Sequence, residues 1–460
     1  MPALDANKSA PIGVVGLWHL GCVTAACLAD AGHSVLAIDP DRIVVEGLLA
    51  GRPPVHEPGL SELLVEHAAR MRFSTDPALL AEASRVWITF DTPVDDDDNA
   101  DVEWVMARSE ELLAPLRCGA LVIVSSQLPV GSVESLRARC AARRGDDDLR
   151  FACVPENLRL GSALDAFHAA DRIVVGVRSE EDREELAELL APFCEHLEWM
   201  RVESAEMTKH ALNSFLATEV VFINELASIC ESVGADAGEV SRGLKSERRI
   251  GPRAYLGPGE SFAGGTLARD IGFLRGLAAR HGLPDHLLAG VAEGNAAHRN
   301  WTRRKLLELL GGGEEGRPLA GVSVAIWGLT YKPGTDTLRR SGAIELCRWL
   351  ADAGALARAH DPVVTALPPD LMGRIELCST ALEAATGAEV LVVCTAWPDY
   401  RDVAGEAVRS ALKGTLVIDP AGALVDSLGA LAQLSYVRVG TPSEQRAQAP
   451  SLSSAEVRRG

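Results

Sequence analysis

The chain has 460 residues and a formal net charge of −19, and 47% of its residues are hydrophobic. This length exceeds one ordinary core and predicts two or three domains. The acidic balance argues against nucleic acid and anionic membrane surfaces as partners, because both favour a basic surface. No apolar run suits a signal peptide or a bilayer span, and the ten cysteines lack metal-site spacing. We therefore expect a cytoplasmic protein without a bound metal.

A strand, a helix and a second strand open the chain, at residues 12–17, 22–32 and 34–39. More short apolar strands and amphipathic helices follow, with strands at 85–90, 120–126 and 172–177 and helices at 109–116 and 179–193. This alternation predicts a parallel, doubly wound sheet with helices on both faces. We assign the first Rossmann-like domain to residues 1–203.

A long helix is predicted for residues 204–233, which contain no glycine or proline and carry apolar residues at helical spacing. A helix of this length is roughly 45 Å long and connects two domains. Its apolar character on two sides indicates a buried or dimerising helix. Further helices extend this central helical domain over residues 204–310.

The sequence GGGEEG at residues 311–316 predicts a flexible break, after which the α/β pattern restarts. We assign a second Rossmann-like domain to residues 317–440. The polar tail, residues 441–460, is predicted to be disordered. The predicted fold class is α/β, with two Rossmann-like doubly wound domains joined by a long central helix in a helical dimerisation domain.

The first predicted strand runs into a glycine loop, GLWHLG, that opens a helix. Gly16 and Gly21 occupy the turn and helix-packing positions of a dinucleotide fingerprint, and Trp18 and Leu20 between them are the other expected cofactor contacts of this loop. Trp18 occupies the position where the backbone approaches a pyrophosphate, so a loop that has lost its nucleotide is the alternative interpretation. Asp39 ends the next strand, where an acid binds ribose hydroxyls. We favour nucleotide binding, and Asp39 favours NAD over NADP.

A series of motifs resembles the UDP-glucose/GDP-mannose dehydrogenase family over nearly the whole chain. In order, they are EPGL at 57–60, DTPV at 91–94, SQLPVGS at 126–132, PENLRLGSALDAFHAADRIVVG at 155–176, AEMTKHALNSFLATEVVFINELASICE at 205–231, ERRIG at 247–251 and GLTYKPGTDTLRRS at 328–341. The resemblance implies an N-terminal NAD-binding domain and a C-terminal domain for the nucleotide of a nucleotide sugar. The family's usual reaction oxidises a primary alcohol of the sugar to a carboxylate and consumes two NAD.

The resemblance also implies roles for single residues. Hydride removal from an alcohol requires a base for the hydroxyl proton and a cation for the developing alkoxide. Lys209 and Asp270 match the family positions for these tasks, and Asn213 lies one helical turn after Lys209. Glu156 matches a glutamate that acts on water or on the thioester.

The remaining implied contacts belong to the cofactor and the substrate. Thr92 and Arg339 match cofactor positions, and Gln127, which falls where the family has a threonine near the reacting centre, is also expected to contact the cofactor. The expected substrate contacts are Lys332, Leu158, Phe262, Gly265 and Arg249, the last reaching the site from a partner chain. A homodimer through the central helix is therefore expected.

The loop GPGESFAGGTLARD, residues 257–270, departs from the family at its reactive position. Aligning it on Phe262 and Asp270 places Thr266 on the family's catalytic cysteine. A threonine hydroxyl is a far weaker nucleophile than a thiolate, and its ester hydrolyses far more slowly than a thioester. Cys153, near Glu156, is an alternative nucleophile, but its place at a strand end favours simple packing.

We therefore predict an NAD-dependent oxidoreductase of a UDP- or GDP-hexose that forms no covalent cysteine thioester. The reaction stops at an aldehyde or ketone, oxidises a hydrated aldehyde with Glu156 holding the water, or oxidises and reduces again as a redox epimerase with no net NAD turnover. A catalytically silent nucleotide-sugar-binding protein is the alternative from another functional class. Binding and turnover of NAD distinguish the two classes.

Overall fold

The structure is a computed structural model that describes residues 10–95, 100–263, 265–312 and 317–442. The polar leader, most of the glycine-rich break and most of the tail lie outside these residues. The chain divides into two compact units, the first ending at Leu212 and the second beginning at Asn213. The division into three domains at residues 203 and 310 stays a prediction.

The first unit is an α/β sandwich around one sheet. Its described strands are β1 Ile12–Val15, β2 Val35–Ile38, β3 Met71–Ser74, β4 Arg85–Ile88, β5 Leu121–Val124, β6 Arg150–Cys153, β7 Ile173–Gly176 and β8 Leu197–Met200. Its helices are α1 His19–Asp30, α2 Arg42–Leu49, α3 Leu60–Glu66, α4 Val102–Leu113, α5 Ser132–Arg144, α6 Ala163–His168 and α7 Glu180–Leu190. The predicted helix at 109–116 is therefore the C-terminal part of α4, which begins earlier and ends at Leu113.

The sheet of the first unit has the strand order β3-β2-β1-β4-β5-β6-β7-β8. Strands β1 to β6 are parallel, with Ile12 opposite Val35 on one side and Arg85 on the other. The predicted parallel, doubly wound sheet is confirmed, with one departure at its edge: β7 pairs with β6 in the antiparallel direction, and β8 then follows β7 in parallel. Buried apolar residues form a core on each face of the sheet, which explains why the central strands are apolar throughout.

The helix α8, Val202–Val233, begins in the first unit and ends in the second. Its 32 residues confirm the prediction of a long central helix. The second unit continues with α9 Ala237–Ser246, α10 Thr266–Arg280, α11 His286–His298 and α12 Trp301–Leu310. Ala217 and Val221 of α8 pack against Ile271 of α10 and Val291 of α11.

The rest of the second unit is another doubly wound sheet. Its described strands are β9 Ser323–Trp327, β10 Leu356–His360, β11 Glu376–Leu377, β12 Val390–Val393, β13 Leu416–Ile418 and β14 Ser435–Val437, and its helices are α13 Gly342–Asp352, α14 Ala381–Ala385 and α15 Gly405–Ala411. The strands are parallel in the order β11-β10-β9-β12-β13-β14. In such a sheet ligands bind at the carboxyl ends of the strands, beside the point where the order reverses.

Candidate active site

The glycine loop between β1 and α1 has the close contacts that a dinucleotide fingerprint requires. Gly16 has φ +94°, and a Cβ there would lie 2.6 Å from the ring of Phe90. A Cβ on Gly21 would lie 1.9 Å from the carbonyl oxygen of Gly16. Both positions therefore require glycine, the first for the turn and the second for the close packing of helix on strand. Leu20, in the first turn of α1, is buried.

Asp39 lies directly after β2 and is fixed by the same loop. Its Oδ2 accepts a hydrogen bond from the backbone N–H of Leu17 at 2.6 Å, and its Oδ1 accepts from Asp41 at 2.8 Å. Burial raises the pKa of the Asp39 carboxyl, although the two backbone hydrogen bonds oppose this effect. A carboxylate has about four lone-pair sites, so these two bonds leave capacity for ribose hydroxyls. Trp18, at the start of α1, is 49% exposed.

Two of the predicted cofactor residues meet near the ends of β4 and β5. The hydroxyl of Thr92 donates to the backbone carbonyl of Gln127 at 2.6 Å. Thr92 is buried, and Gln127 is partly buried. The structure therefore brings together the loops that follow two neighbouring strands, at the sheet edge where a dinucleotide binds.

Lys209 and Glu156 form an ion pair within the first unit. The Nζ of Lys209 lies 3.4 Å from Oε1 of Glu156 and donates to the backbone carbonyl of Glu156 at 2.6 Å. The other carboxylate oxygen of Glu156 accepts from the backbone N–H of Leu158 at 2.8 Å. The side chain of Leu158 is partly buried and packs against the core of the first unit. The first turns of α8 thus place an ammonium group beside the predicted catalytic carboxylate.

Cys153 does not have the properties of a relocated nucleophile. Its side chain is buried at the end of β6. Burial, followed by the charge of Glu206, raises the pKa of its thiol well above the ordinary value. The reactive thiolate is therefore strongly disfavoured at neutral pH.

In the second unit, the structure brings together two of the predicted catalytic residues, Asn213 and Asp270. The amide Nδ2 of Asn213 on α8 donates to Oδ2 of Asp270 on α10. Asp270 is fully buried and Asn213 nearly so. The hydrogen bond orients the Asp270 carboxylate, as a group that accepts a proton requires.

The loop that carries Thr266 is anchored at its beginning by Asn295 of α11. The backbone N–H of Phe262 donates to Oδ1 of Asn295 at 3.0 Å, and Nδ2 of Asn295 donates to the Phe262 carbonyl at 2.9 Å. Gly265 has φ +109°, and Thr266 is the first residue of α10. Thr266 is exposed, so its hydroxyl is accessible from solvent.

The segment after β9 repeats the geometry of the first glycine loop. Gly328 has φ +89°, and a Cβ there would lie 2.4 Å from Cβ of Thr395. Oδ2 of Asp361, which follows β10, accepts from the backbone N–H of Leu329 at 2.7 Å. Sequence analysis missed Asp361, although the repeated pairing of Gly-Leu after the first strand with Asp-Pro after the second was available as a signal.

The three predicted substrate and cofactor cations of the second unit lie on two separate segments. Lys332 and Arg339 follow β9, with Lys332 partly buried and Arg339 exposed. The side chain of Arg249, in the loop after α9, is 88% exposed and bonds Glu247 of its own loop. Among the described residues, no cluster of His, Cys, Asp and Glu suits a metal ion, and no helix is long and apolar enough to cross a bilayer.

Sequence models of three domains match consecutive parts of the chain. They are the NAD binding, central and UDP binding domains of the UDP-glucose/GDP-mannose dehydrogenase family, at residues 10–194, 203–297 and 325–426. The chain belongs to this family. The dehydrogenase is accordingly an NAD-dependent oxidoreductase that acts on a CH–OH group of a nucleotide sugar. The closely packed Gly16 and Gly21 and the buried Asp39 fit NAD.

Curated relatives and solved structures agree with this assignment. The chain is 35% identical over 443 residues to UDP-glucose 6-dehydrogenase of Pseudomonas aeruginosa, covering 93% of this chain and 96% of the relative. It is 32% identical over 417 residues to that of Rhizobium meliloti, covering 89% and 94%. A UDP-glucose dehydrogenase structure from Pyrobaculum islandicum superposes with a TM-score of 0.80 at 30% identity, covering 90% of this chain and 94% of the other.

Proposed function

We propose that this dehydrogenase oxidises a hydroxyl-bearing carbon of a UDP-hexose without forming a covalent sugar–enzyme intermediate. UDP-glucose is the first candidate substrate, because the relatives at 35% and 32% identity are named UDP-glucose 6-dehydrogenases. The observation that carries the non-covalent part is Thr266 at the start of α10, in a loop that keeps the family's Phe262 and Asp270.

NAD supplies the hydride acceptor when bound. Gly16 makes the turn and Gly21 lets α1 pack closely on β1, so that the start of α1 would face the pyrophosphate of NAD, and Asp39 would accept hydrogen bonds from its adenosine ribose. We assign Leu20, Thr92, Gln127 and Arg339 to its remaining contacts.

The residues of the reaction are assigned from their charges and their partners. Lys209 stabilises the alkoxide that forms as the hydroxyl proton leaves, because an ammonium donates strong hydrogen bonds to an oxyanion. Asp270, oriented by Asn213, accepts a proton directly or through a water molecule. Glu156 holds a water molecule for any second oxidation.

The nucleotide sugar is assigned mainly to loops of the second unit, with one contact from the first. Lys332 binds its phosphates, and Phe262, Gly265 and Leu158 contact the rest of the molecule. Arg249 is assigned to the active site of a partner chain, which agrees with the outward direction of its exposed side chain.

Thr266 cannot take over the role of a cysteine without activation. A hydroxyl nucleophile requires an adjacent base, whereas a cysteine has a useful thiolate fraction near neutral pH. Asp270 and Lys209 already serve the first oxidation. We therefore infer that the reaction ends after one hydride transfer or continues through the hydrate of the aldehyde.

The homodimer is proposed on an apolar stripe of α8. Phe215, Phe222 and Ile229 are spaced seven residues apart and are 62%, 47% and 56% exposed. A seven-residue spacing places them along one side of a helix, as in helix pairs. Phe222→Glu should convert a dimer into a monomer in light scattering, and a dimer that persists would contradict the assignment of this stripe.

The decisive experiment incubates the purified protein with NAD and a panel of UDP- and GDP-hexoses. Products are identified by mass spectrometry, NADH is counted per sugar, and the intact protein is weighed during turnover. The proposal expects NADH formation with UDP-glucose or a close relative and no adduct on Thr266. Two NADH per sugar together with an acyl adduct on Thr266 would refute the non-covalent route.

Trp18 favours a second candidate, a nucleotide-sugar-binding protein without turnover. Its indole replaces the glycine that normally lets the backbone approach a pyrophosphate. This candidate predicts that calorimetry detects UDP-sugar binding but no NAD binding, and that Trp18→Gly restores NAD binding. Binding and turnover of NAD by the wild-type chain eliminate it.

A further inference from the structure

Glu206 binds the start of α5 from outside that helix. Its Oε2 accepts from the backbone N–H of Gly131 at 2.8 Å, and its Oε1 accepts from Val133 at 2.9 Å. Gly131, the residue before α5, has φ +92° and no side chain that could cap the helix. Glu206 is only 6% exposed, so the carboxylate satisfies two backbone donors that the helix cannot satisfy itself.

Glu57 binds the start of α6 in the same way. Its Oε2 accepts from the backbone N–H of Gly161 at 2.8 Å, and its Oε1 accepts from Ala163 at 2.8 Å. Gly161 has φ +91°, and Glu57 is 3% exposed. In both loops, three consecutive residues are a glycine with positive φ, a serine and an apolar residue. The backbone N–H groups of the first and third of these residues donate to one glutamate that is distant in sequence.

The two glutamates reach different parts of the proposed active site. Glu206 precedes Lys209 by one turn of α8, and His210 on the same helix contacts the Leu128 carbonyl at 2.9 Å. Leu128 directly follows Gln127, whose carbonyl accepts from Thr92. Glu206 therefore joins the helix turn of Lys209 to a loop assigned to the cofactor.

Glu57 joins the nucleotide loop to the segment that carries Glu156. Its Oε2 lies 2.8 Å from Nε2 of His19, the first residue of α1, directly after Trp18. The same oxygen accepts from Gly161, five residues after Glu156. The buried carboxylate of Glu57 thus contacts both the start of α1, where a pyrophosphate would bind, and the segment that follows Glu156.

We propose that Glu57 and Glu206 are positioning residues of the dehydrogenase. Glu206 fixes the position of Lys209 relative to the loop 127–133. Glu57 fixes the segment that carries Glu156 relative to the glycine loop at residues 16–21. This inference rests on the proposed function, because it assumes that Lys209 and Glu156 act on the sugar. A misplacement of about 1 Å costs on the order of 100-fold in rate, so small displacements of these segments have large consequences.

Glu57 and Glu206 bind their loops with the same geometry, so each glutamate serves as a control for the other. Glu57→Gln and Glu206→Gln each replace one accepting oxygen by an NH2 group that faces a backbone donor. If both glutamates only cap helices, the two variants lose similar stability and show no difference in kinetics. Asp182→Asn serves as an unrelated stability control, because buried Asp182 bonds Arg150 in a different part of the first unit.

The experiment compares these variants well below their melting temperatures. We expect Glu206→Gln to lower kcat on the order of 10- to 100-fold with little change in the Kd for NAD. We expect Glu57→Gln to raise the calorimetric Kd for NAD about fivefold, as the loss of one hydrogen bond implies. Asp182→Asn should change neither quantity.

Hydrogen exchange provides a readout that is independent of turnover. Glu206→Gln should accelerate amide exchange at residues 155–158 as well as in the loop 127–133, because Lys209 links the two. Glu57→Gln should accelerate it at residues 17–22 as well as 161–166. The inference would be overturned if amide exchange accelerated only in the turn that the substituted glutamate binds, and if kcat and Kd equalled those of Asp182→Asn. A wild-type chain that binds NAD without turnover contradicts the proposed function instead, and the exchange data still decide the positioning roles.

Discussion

Lys209 donates a 2.6 Å hydrogen bond to the backbone carbonyl of Glu156 and places the same ammonium 3.4 Å from its carboxylate. The side chains are 10% and 21% exposed, so water screens the pair only in part. The backbone bond holds the ammonium even when the carboxylate engages another group. Glu156 can therefore bind water or substrate while Lys209 stays in place.

The first prediction concerns this pair. Lys209→Met should lower kcat on the order of 1,000-fold, because the oxyanion loses its cation while the apolar stem of the side chain remains. Initial rates with NAD and the best UDP-sugar measure this loss. Lys413→Met is the control, since the side chain of Lys413 is 68% exposed and pairs with Glu389. Equal rates for both variants would remove Lys209 from the mechanism.

The second prediction concerns Thr266. Thr266→Ala should reduce kcat less than about tenfold, because only a hydrogen bond of about 1 kcal/mol and local packing are lost. Asp270→Asn should cost far more, since it removes the proton acceptor. Thr266→Cys should introduce a thiol that forms a mass-detectable adduct with the aldehyde product. A Thr266→Ala variant as inactive as Asp270→Asn would indicate that the hydroxyl has a direct chemical role.

Much of the fold was predictable from local patterns. The spacing of apolar runs predicted α8 and most of the central strands, although not the edge strands β3 and β8, and the glycine loop predicted the close packing at Gly16 and Gly21. The reversal of β7 was not predictable, because strand direction depends on how the connection through α6 crosses the sheet edge. Buried strands have the same apolar composition in either direction.

The candidate site was predictable only where motif and geometry coincide. Sequence placed Lys209 and Asn213 one turn apart, but it did not reveal which side chains support them. Glu57 and Glu206 lie 104 and 75 residues from the glycines they bind. Such long-range hydrogen bonds leave no periodic pattern in the sequence, although both glutamates stand inside motifs that were noticed for other reasons.

The third prediction concerns acid stability. Burial opposes ionisation of Glu57, but the hydrogen bonds from Gly161, Ala163 and His19 outweigh it, so the pKa of Glu57 lies below its ordinary value of 4.5. A lowered folded-state pKa means that this stabilisation is complete above the pKa of the unfolded state and is lost as pH falls through the folded-state pKa. The stability difference between wild type and Glu57→Gln should therefore be constant near neutrality and shrink in acid.

Denaturant midpoints of the two proteins, measured from neutral pH to below pH 4.5, test this pH dependence. Asp182→Asn again shows how an unrelated buried carboxylate behaves. A difference between wild type and Glu57→Gln that grows in acid would mean that the carboxylate is destabilised in the folded state, contrary to the observed hydrogen bonds.

The last prediction concerns Arg340, the single non-glycine residue with positive φ among those the structure describes, at +60°. A left-handed backbone costs roughly 1–2 kcal/mol in a residue with a Cβ, and Nη1 of Arg340 lies 3.5 Å from the position of a Cβ on Gly265. Arg340→Ala removes the guanidinium but keeps the backbone strain, whereas Arg340→Gly removes both. The glycine variant should therefore unfold with a free energy about 1 kcal/mol higher than the alanine variant. If the guanidinium rather than the strain serves the reaction at the Thr266 loop, both variants should lose activity equally, because both lack it. Melting temperatures and initial rates of the pair separate the two effects, and a glycine variant less stable than the alanine variant would contradict the left-handed assignment.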